Sequence, residues 1–398
     1  MSAFYDLASL VVVPSGYKAS KVYAQKPLTT DGQLAFTRST TATRVNSAGL
    51  IESVAINVPR LDYLNSSCPR LLLEPQRTNL FQYSEQLDDA YWSKIGAITV
   101  SANNATSPDG YQNADLVTGA ASGARIQRAF TGLTAGTRTL SCFVKAGTGT
   151  EVTINTYDGI VDKGAAFNVV TGVVTSTSAG ATATITNYGS GWYRLTHTYT
   201  SAGTSYSCQF FFDAGLTYQV YGFQFEDSAS YATSYIPTLG AAVTRGADAC
   251  YKENIAGTLP TAYPFTLYAE GFLRENNEVL LGVIDISAAD IYYHIGASTN
   301  GFFATARNSS TSLAITTSGR SVGTHKVAAV FTSSEIRLFA NGALIATGAN
   351  AQVFNPTAND VLLGQLRTNS DLGLRSSVNQ ALVFKSALSD AEAIALTA

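Results

Sequence analysis

The residues of this sequence best suited to chemistry are aromatic side chains that stand beside polar residues in short alternating runs. Sugar rings are bound by aromatic faces that stack on their C–H surfaces, while Asp, Asn, Gln or Arg side chains supply directional hydrogen bonds. The six candidates for such contacts are Trp192, Tyr193, Tyr221, Tyr235, Tyr292 and Tyr293. Further aromatics of the same kind are Trp92, Tyr231 and Phe302. The pattern indicates carbohydrate binding at some of these positions.

Each candidate has an alternative role in a hydrophobic core, because large aromatics dominate the interiors of β-sandwiches. Trp192 and Tyr193 are neighbours in the sequence GWYR at residues 191–194. Side chains alternate along a strand, so only one of these two can face outward as a platform for a ligand. The sequence leaves both roles open for every candidate.

The sequence lacks the usual patterns of catalytic residues. A glycosidase needs two carboxylates close together, and alternate positions of one strand would place them on one face. Asp285 stands in the run VIDIS without such a partner. Three histidines are isolated from one another in the sequence, namely His197, His294 and His325. We therefore predict a protein that is not an enzyme, with a polysaccharide depolymerase kept as an alternative.

Metal and cofactor sites are not predicted either. The cysteines are far apart and form neither a Cys-x-x-Cys pair nor a disulfide framework: Cys68, Cys142, Cys208 and Cys250. Calcium is the one alternative, since four aspartates can act as donors although none lies in a loop with ligand spacing: Asp285, Asp290, Asp360 and Asp371.

Composition favours an all-β protein. Charged residues make up 13% of the chain, against a usual ~25%, and there are 33 Gly, 21 Tyr and 19 Phe but one Met. Such residues suit pleated, half-buried strands better than exposed helices. The formal net charge of −3 provides no basic field for nucleic acid.

Targeting signals are also missing from the sequence. Residues 7–13 form an apolar run, but no Lys or Arg precedes it, as one would in a signal peptide. No stretch approaches the ~20 apolar residues of a membrane span. We expect synthesis in a cytoplasm and no insertion into a membrane.

Three regions follow one another along the chain. Residues 1–90 are interrupted by prolines, which remove a backbone donor and favour extended geometry, so an extended N-terminal anchoring region with a partner surface is predicted. Residues 91–250 contain short alternating runs that predict a jelly-roll β-sandwich. Residues 251–398 predict a second β-sandwich.

Two local signals lie in this last region. Asn341-Gly342 separates two alternating runs and predicts a tight hairpin turn, because both central residues must adopt a positive φ. The sequence SDAE at residues 389–392 matches a capping box that opens a short helix.

Several blocks resemble known families. The sequences FTRSTTATRVN (36–46), GLIE (49–52) and LLLEPQRTNL (71–80) together resemble an N-terminal region of tailed-bacteriophage structural proteins. The sequences GWYR (191–194), YGFQFE (221–226), TSYIPT (233–238) and TR (244–245) are similar to a carbohydrate-binding-like jelly roll. The sequences THKVA (324–328), LFANG (338–342), LLG (362–364) and LSDAE (388–392) look like a laminin-G or concanavalin-like sandwich.

These resemblances imply a bacteriophage virion protein of a fibre or tail-associated type, made in the host cytoplasm. Residues 1–90 would contact other virion proteins, the chain would form a homotrimer, and the two sandwiches would bind glycan on the host surface. A capsid fibre or decoration protein with a purely structural role is the main alternative. Whether such a protein would sit on the head or the tail stays open.

Overall fold

A computed structural model describes residues 2–274, 278–288, 290–298, 301–308, 311–364 and 377–398. The all-β prediction is confirmed, since the described residues form 33 strands and two short helices. The first part of the chain contains a 3-10 turn at Thr30–Gly32 together with α1 (Ser2–Leu7), β1 (Leu10–Val12), β2 (Tyr17–Lys18), β3 (Lys21–Tyr23), β4 (Gln33–Thr37), β5 (Ala42–Val45), β6 (Ile51–Val54), β7 (Leu61–Asp62) and β8 (Arg70–Leu72).

The middle of the chain contains fourteen strands. They are β9 (Arg77–Asn79), β10 (Ser93–Ile95), β11 (Thr99–Thr106), β12 (Gln112–Thr118), β13 (Arg125–Thr131), β14 (Gly136–Ala146), β15 (Glu151–Tyr157), β16 (Asp162–Asn168), β17 (Val173–Thr177), β18 (Ala181–Asn187), β19 (Trp192–Ser201), β20 (Ser205–Phe212), β21 (Thr217–Asp227) and β22 (Val243–Arg245).

The last part of the chain contains eleven strands and the second helix. They are β23 (Ala249–Lys252), β24 (Phe265–Leu273), β25 (Glu278–Ile284), β26 (Ile291–Ser298), β27 (Gly301–Asn308), β28 (Thr311–Thr316), β29 (Gly323–Phe331), β30 (Glu335–Ala340), β31 (Ala343–Ala349), β32 (Asp360–Leu363), β33 (Ser377–Phe384) and α2 (Asp390–Thr397).

Two large sheets form what we call the outer sandwich. Sheet I has the order β31-β30-β29-β24-β33-β8-β7, with β1 also paired to β33, and sheet II has the order β2-β3-β4-β23-β32-β25-β26-β27-β28. Alternate residues of β24 show how the layers pack. Phe265 and Leu267 point into the core between the two sheets, while Tyr268 points to the opposite face, which α2 covers. Sheet I is therefore buried on both faces.

The N-terminal region belongs to this outer sandwich, whereas the sequence predicts a separate, extended region. Strand β4 lies between β3 and β23, and β8 pairs with β33. Leu34 and Phe36 of β4 are fully buried in the same core as Leu363 of β32. The prolines of this region lie outside the strands, so they interrupt the chain without preventing it from joining the sheets. Anchoring to a partner stays a prediction.

The middle of the chain forms a second unit, the inserted sandwich. Its sheet III has the order β10-β13-β20-β15-β16-β17, and its sheet IV has the order β11-β12-β21-β14-β19-β18, with β9 beside β21 and β22 beside β9. The chain enters the inserted sandwich at β9 and leaves it at β22. These two crossing points lie side by side, because Arg77 of β9 pairs with Arg245 of β22. A segment whose two ends meet in this way can be inserted into another domain without disturbing it.

Sheet IV is covered on one face and in part on the other. One face packs on sheet III through a core that includes Leu195 and Phe223. The other face carries Phe143, which packs against Val45 and Ile51 of the β5–β6 hairpin. Part of the outward face of sheet IV, where a ligand platform was expected, is thus covered by the β5–β6 hairpin.

The local signals near the C-terminus are confirmed. Asn341 and Gly342 have φ angles of 49° and 82° between β30 and β31. The Ser389 side chain accepts a hydrogen bond from the Glu392 main-chain N–H, which makes the capping box that opens α2. The four cysteines are free thiols, of which Cys68 is exposed and the other three are buried. Neither described helix has the length and hydropathy needed to cross a membrane.

Candidate functional site

A cleft of about 680 Å³ lies between the two sandwiches, and we call it the inter-sandwich cleft. Its walls come from four separate parts of the chain: the β5–β6 hairpin, the segment around β7 and β8, sheet IV with the following loop at residues 230–235, and the ends of β24 and β29. Grooves between domains are a common place for ligands, because two surfaces can supply converging groups.

Threonines form the floor of the cleft on sheet IV. Strands β18 and β19 pair Thr182 with Thr198 and Thr184 with Thr196, and the next pair is Thr186 with Arg194. All of these residues line the cleft. Their hydroxyl groups can each donate and accept hydrogen bonds, which suits a polar ligand rich in hydroxyl groups.

The opposite wall combines aromatic rings with guanidinium groups. The Phe272 ring lies 4.8 Å from the Arg274 guanidinium and 5.7 Å from that of Arg70. Arg274 also lies 5.5 Å from the Tyr231 ring. Both aromatic rings line the cleft, so this wall offers apolar faces and directional donors together.

Two donors on this wall have no acceptor among the described residues. They are Nη1 of Arg274 and the hydroxyl of Tyr231, and both atoms are buried. Burial raises the pKa of Tyr231 above its ordinary value, so this hydroxyl keeps its proton. A buried donor without an acceptor costs about 1–3 kcal/mol. An acceptor oxygen of a ligand in the cleft can remove that cost.

Arg194 is the third polar group of note, and it lies on the sheet IV side. Its Nη1 donates to the Thr233 carbonyl at 2.7 Å and its Nη2 donates to the Ser141 hydroxyl at 3.0 Å. Its guanidinium also lies 5.2 Å from the Phe143 ring. These contacts hold the side chain in place at the edge of the threonine floor.

A buried network of charges lies at the inner end of the cleft, where one of its members, Glu74, lines the wall. Arg60 contacts Glu74 at 2.8 Å and also Asp248, Arg38 contacts Asp248 at 3.1 Å, and Arg245 contacts Glu74. The five side chains are at most 3% exposed. They come from both sandwiches and from the two crossing points between them, so the network fixes how the walls of the cleft meet.

The charges of this network stabilise one another. Burial alone would favour the neutral form of Glu74, but Arg245 and Arg60 outweigh it and hold its pKa well below the ordinary range. Burial likewise opposes the charge of Arg60, but Asp248 and Glu74 raise its pKa. Glu74 and Arg60 are therefore both ionised at neutral pH.

The blocks that suggested known families meet in this network. Arg38 and Glu74 belong to the blocks that resemble phage structural proteins, while Arg245 belongs to the jelly-roll blocks. The hydroxyl of Ser234, from the TSYIPT block, donates to Glu74 at 2.7 Å. These motifs therefore have a structural role at the junction of the two sandwiches.

Three predicted sugar-binding aromatics are core residues under the β5–β6 hairpin. Trp192, Tyr221 and Tyr235 are 2–3% exposed and pack together in the cluster that covers sheet IV. The indole N–H of Trp192 donates to the Thr106 carbonyl, and the hydroxyls of the two tyrosines donate to Glu85. Of the three, only Tyr235 reaches the wall of the cleft. They do not offer a free ring face to a ligand.

The remaining candidates lie away from the cleft. Tyr293 is fully buried in the core of the outer sandwich, and Tyr193 is half-buried against the core of the inserted sandwich. Tyr292 is half-buried on sheet II, where its ring stacks on His294 at 4.6 Å. Buried positions are also found for Trp92 and Phe302, at 2% and 7% exposure. Most of these aromatics are therefore core residues, which is one of the two roles that the sequence left open.

Sequence reasoning missed most of the cleft. The aromatic pattern of the sequence indicates Tyr231, but it does not indicate Phe272, Arg274 or the threonine floor. One signal was present for the floor, because the run ATATITN at residues 181–187 places threonines at alternate positions, hence on one face.

Neither carboxylate that lines the described cleft is free for catalysis. Asp62 accepts from the Val45 main-chain N–H and from Arg70, and Glu74 belongs to the buried network. The possible calcium donors are also engaged. Asp360 accepts from two main-chain N–H groups, and Asp285 accepts from Ser287. Asp371 lies outside the described residues, among which no group of three acidic, Cys or His side chains is placed to hold a metal.

His197 faces away from the cleft, into the core of the inserted sandwich. Burial lowers its pKa to about 4, and burial likewise lowers the pKa of His294, in the outer sandwich, to about 3. In the unfolded chain both would titrate near ~6.5. Protons therefore bind the unfolded state first as the pH falls, and stability is lost below neutral pH.

We expect the free energy of unfolding to fall by about 2 kcal/mol for each of these histidines between pH 7 and pH 5. His197→Leu keeps a similar volume and removes the titrating group, so it should flatten the pH dependence by that share. Urea unfolding of the parent chain and of this variant at the two pH values measures the effect. Equal losses in both proteins would show that His197 does not titrate in this way.

Comparison with known proteins bears on the outer sandwich. A family model described as the Concanavalin A-like lectin/glucanases superfamily matches residues 274–394. The laminin-G or concanavalin-like prediction is thereby confirmed for this part of the chain. No curated protein matches the sequence.

Several solved structures are similar to part of this chain. The carbohydrate-binding module CBM40 of a Ruminococcus gnavus IT-sialidase, bound to alpha2,3 sialyllactose, is 23% identical over 35% of this chain and 84% of its own, with a TM-score of 0.30. The NanB sialidase from Streptococcus pneumoniae is 16% identical over 36% of this chain and 25% of its own, with a TM-score of 0.31. The Botulinum neurotoxin serotype G binding domain is 10% identical over 37% of this chain and 40% of its own, with a TM-score of 0.32.

Proposed function

We propose that the chain is a glycan-binding protein and that the inter-sandwich cleft is its binding site. The observation that carries this proposal is the pair of buried donors without acceptors, Tyr231 and Arg274, next to the Phe272 ring and opposite the threonine floor. Aromatic faces and hydroxyl-directed hydrogen bonds are the two contacts that sugars use.

We propose binding without catalysis, because the two cleft carboxylates already accept hydrogen bonds from neighbouring groups. A general acid or base needs a carboxylate that can exchange its proton with the substrate. Incubation with polysaccharides followed by an assay for new reducing or unsaturated ends tests this part, and release of such ends would favour the depolymerase alternative.

The test of the binding site is a pair of substitutions on the cleft wall. Tyr231→Phe removes a buried hydroxyl that makes no hydrogen bond within the described structure, so we expect stability that is equal to or higher than that of the parent chain but about 3–10-fold weaker glycan binding. Arg274→Ala should weaken binding about 10–100-fold, since hydrogen bonds from charged groups contribute more. A glycan array and calorimetry on the best ligand measure both effects.

Matched controls lie outside the cleft. Arg125 also stands over an aromatic ring on a strand, 5.5 Å from Phe211 on sheet III, and Tyr111 is 72% exposed. Arg125→Ala and Tyr111→Phe should leave binding unchanged. If the cleft variants bind as well as these controls do, the cleft is not the site.

We further propose that this glycan binding takes place on a bacteriophage virion, as a homotrimer that contacts other virion proteins through residues 1–90. The ordered blocks at residues 36–46, 49–52 and 71–80 support this part through their resemblance to phage structural proteins. Immunogold labelling of phage particles and light scattering of the pure chain test the location and the trimer. Unlabelled particles would contradict the virion role. They would also contradict the alternative of a capsid decoration protein, since such a protein is itself part of the particle.

A further inference from the structure

We propose that the inter-sandwich cleft selects an anionic glycan, one that carries carboxylate or sulfate groups. This inference rests on the proposed function and names the class of ligand. It follows from the charged side chains that line the cleft. Four arginines do so, namely Arg44, Arg70, Arg194 and Arg274, against two carboxylates, Asp62 and Glu74.

The charges of the two carboxylates are balanced by arginines beside them. Both oxygens of Asp62 are occupied, one by the Val45 main-chain N–H and the other by Arg70 and the Leu64 main-chain N–H. Glu74 lies in the buried network, where three arginines face two carboxylates. That network carries an excess positive charge of its own at the inner end of the cleft.

Two of the cleft arginines have carboxylate partners and two do not. Arg70 pairs with Asp62, and Arg44 pairs with Glu52 at 2.7 Å. Within the described part of the chain, Arg194 and Arg274 form no ion pair. Arg194 bonds to neutral oxygens of Thr233 and Ser141.

Arg274 is the sharper case. Its contacts within the described structure are the ring faces of Phe272 and Tyr231 and a hydrogen bond from its main-chain N–H to Glu278 at 2.7 Å. Glu278 interacts electrostatically with Arg320. Burial lowers the pKa of Arg320, and Glu278 offsets part of that shift. The Arg274 guanidinium therefore keeps a donor without an acceptor.

A planar guanidinium with a donor that lacks an acceptor matches a carboxylate or sulfate better than it matches a hydroxyl group. Its hydrogen bonds to such anions are charge-assisted and can be bidentate, which gives both strength and orientation. The aromatic rings beside Arg274 hold it in the wall without neutralising it. Because the whole chain has a net charge of −3, attraction of a polyanion requires a local site of this kind.

The test compares binding of the full chain to three sets of polysaccharides at low and physiological ionic strength. The carboxylated probe is polygalacturonate, the sulfated probe is dextran sulfate, and the neutral probes are dextran and galactan. We expect at least one acidic probe to bind about tenfold or more tightly than the neutral ones. Salt should weaken that binding, because ions screen charge attraction.

Arg274→Gln assigns the preference to the cleft, with Arg125→Gln as its control. We expect the first variant to lose most of the acidic preference and the second to keep it. Equal binding of neutral and acidic probes would overturn the anionic inference while supporting glycan binding itself. An acidic preference that Arg274→Gln leaves intact would also overturn it, since the charge would then act elsewhere. Binding of none of the probes would overturn the proposed function.

Discussion

Glu74→Gln is expected to lower the free energy of unfolding by about 3–5 kcal/mol, because it removes one partner from a buried cluster of charges. Three arginines now face two carboxylates in that cluster, and after the substitution they would face Asp248 alone. Glu74 also accepts from the main-chain N–H and the hydroxyl of Ser234. The effect should reach both sandwiches, since the cluster joins them.

A matched control is the ion pair between Arg337 and Asp390, whose carboxylate is 49% exposed. Exposed pairs contribute about 0–1 kcal/mol, so Asp390→Asn should change stability little. Guanidinium chloride unfolding followed by circular dichroism compares the two variants. A loss for Glu74→Gln no larger than that for the control would show that the buried cluster does not hold the sandwiches together.

Deletion of residues 1–73 is expected to prevent folding of the outer sandwich altogether. The deletion removes strands on both of its sheets and nine buried core side chains: Leu10, Val12, Val22, Ala24, Leu34, Phe36, Leu61, Leu71 and Leu73. Each lost Leu or Phe side chain costs about 2–5 kcal/mol, and together these losses exceed the ~5–15 kcal/mol that holds a typical domain folded. The inserted sandwich should survive, because β9 and β22 pair its two ends.

Two further proteins serve as controls for this deletion. Removal of residues 2–6 deletes all of α1 but its last residue, Leu7, and should leave the fold intact, because Phe4 and Tyr5 are only partly buried. Residues 77–245 alone should give one cooperative unfolding transition. Were residues 74–398 to show the same near-ultraviolet spectrum and transitions as the full chain, the N-terminal strands would not be part of the outer sandwich.

Strands and local turns could be predicted from the sequence because their signals are local. The alternating run at residues 139–145 lies within β14, and the Asn341-Gly342 turn joins β30 and β31. The partners of the N-terminal strands could not be predicted in this way. Leu10 pairs with Val383, and no periodicity within either segment specifies a contact over that separation.

The surroundings of the aromatic candidates could not be predicted from the sequence for a related reason. Alternation shows that Trp192 and Tyr193 point to opposite faces, but it does not show what covers each face. Val45 and Ile51, more than a hundred residues earlier, cover the face that Trp192 occupies. The cleft itself needs four distant segments to meet, so Arg274 and Tyr231 become neighbours only in the folded chain.

The most direct test of the central claim is a crystal structure of the full chain with an oligosaccharide fragment of the polysaccharide that binds best in solution. We predict sugar density in the inter-sandwich cleft, with an oxygen of the ligand in hydrogen-bond contact with Arg274 or the Tyr231 hydroxyl. Sugar density elsewhere, for example against Tyr292 on sheet II, with an empty cleft at saturating ligand would contradict the account.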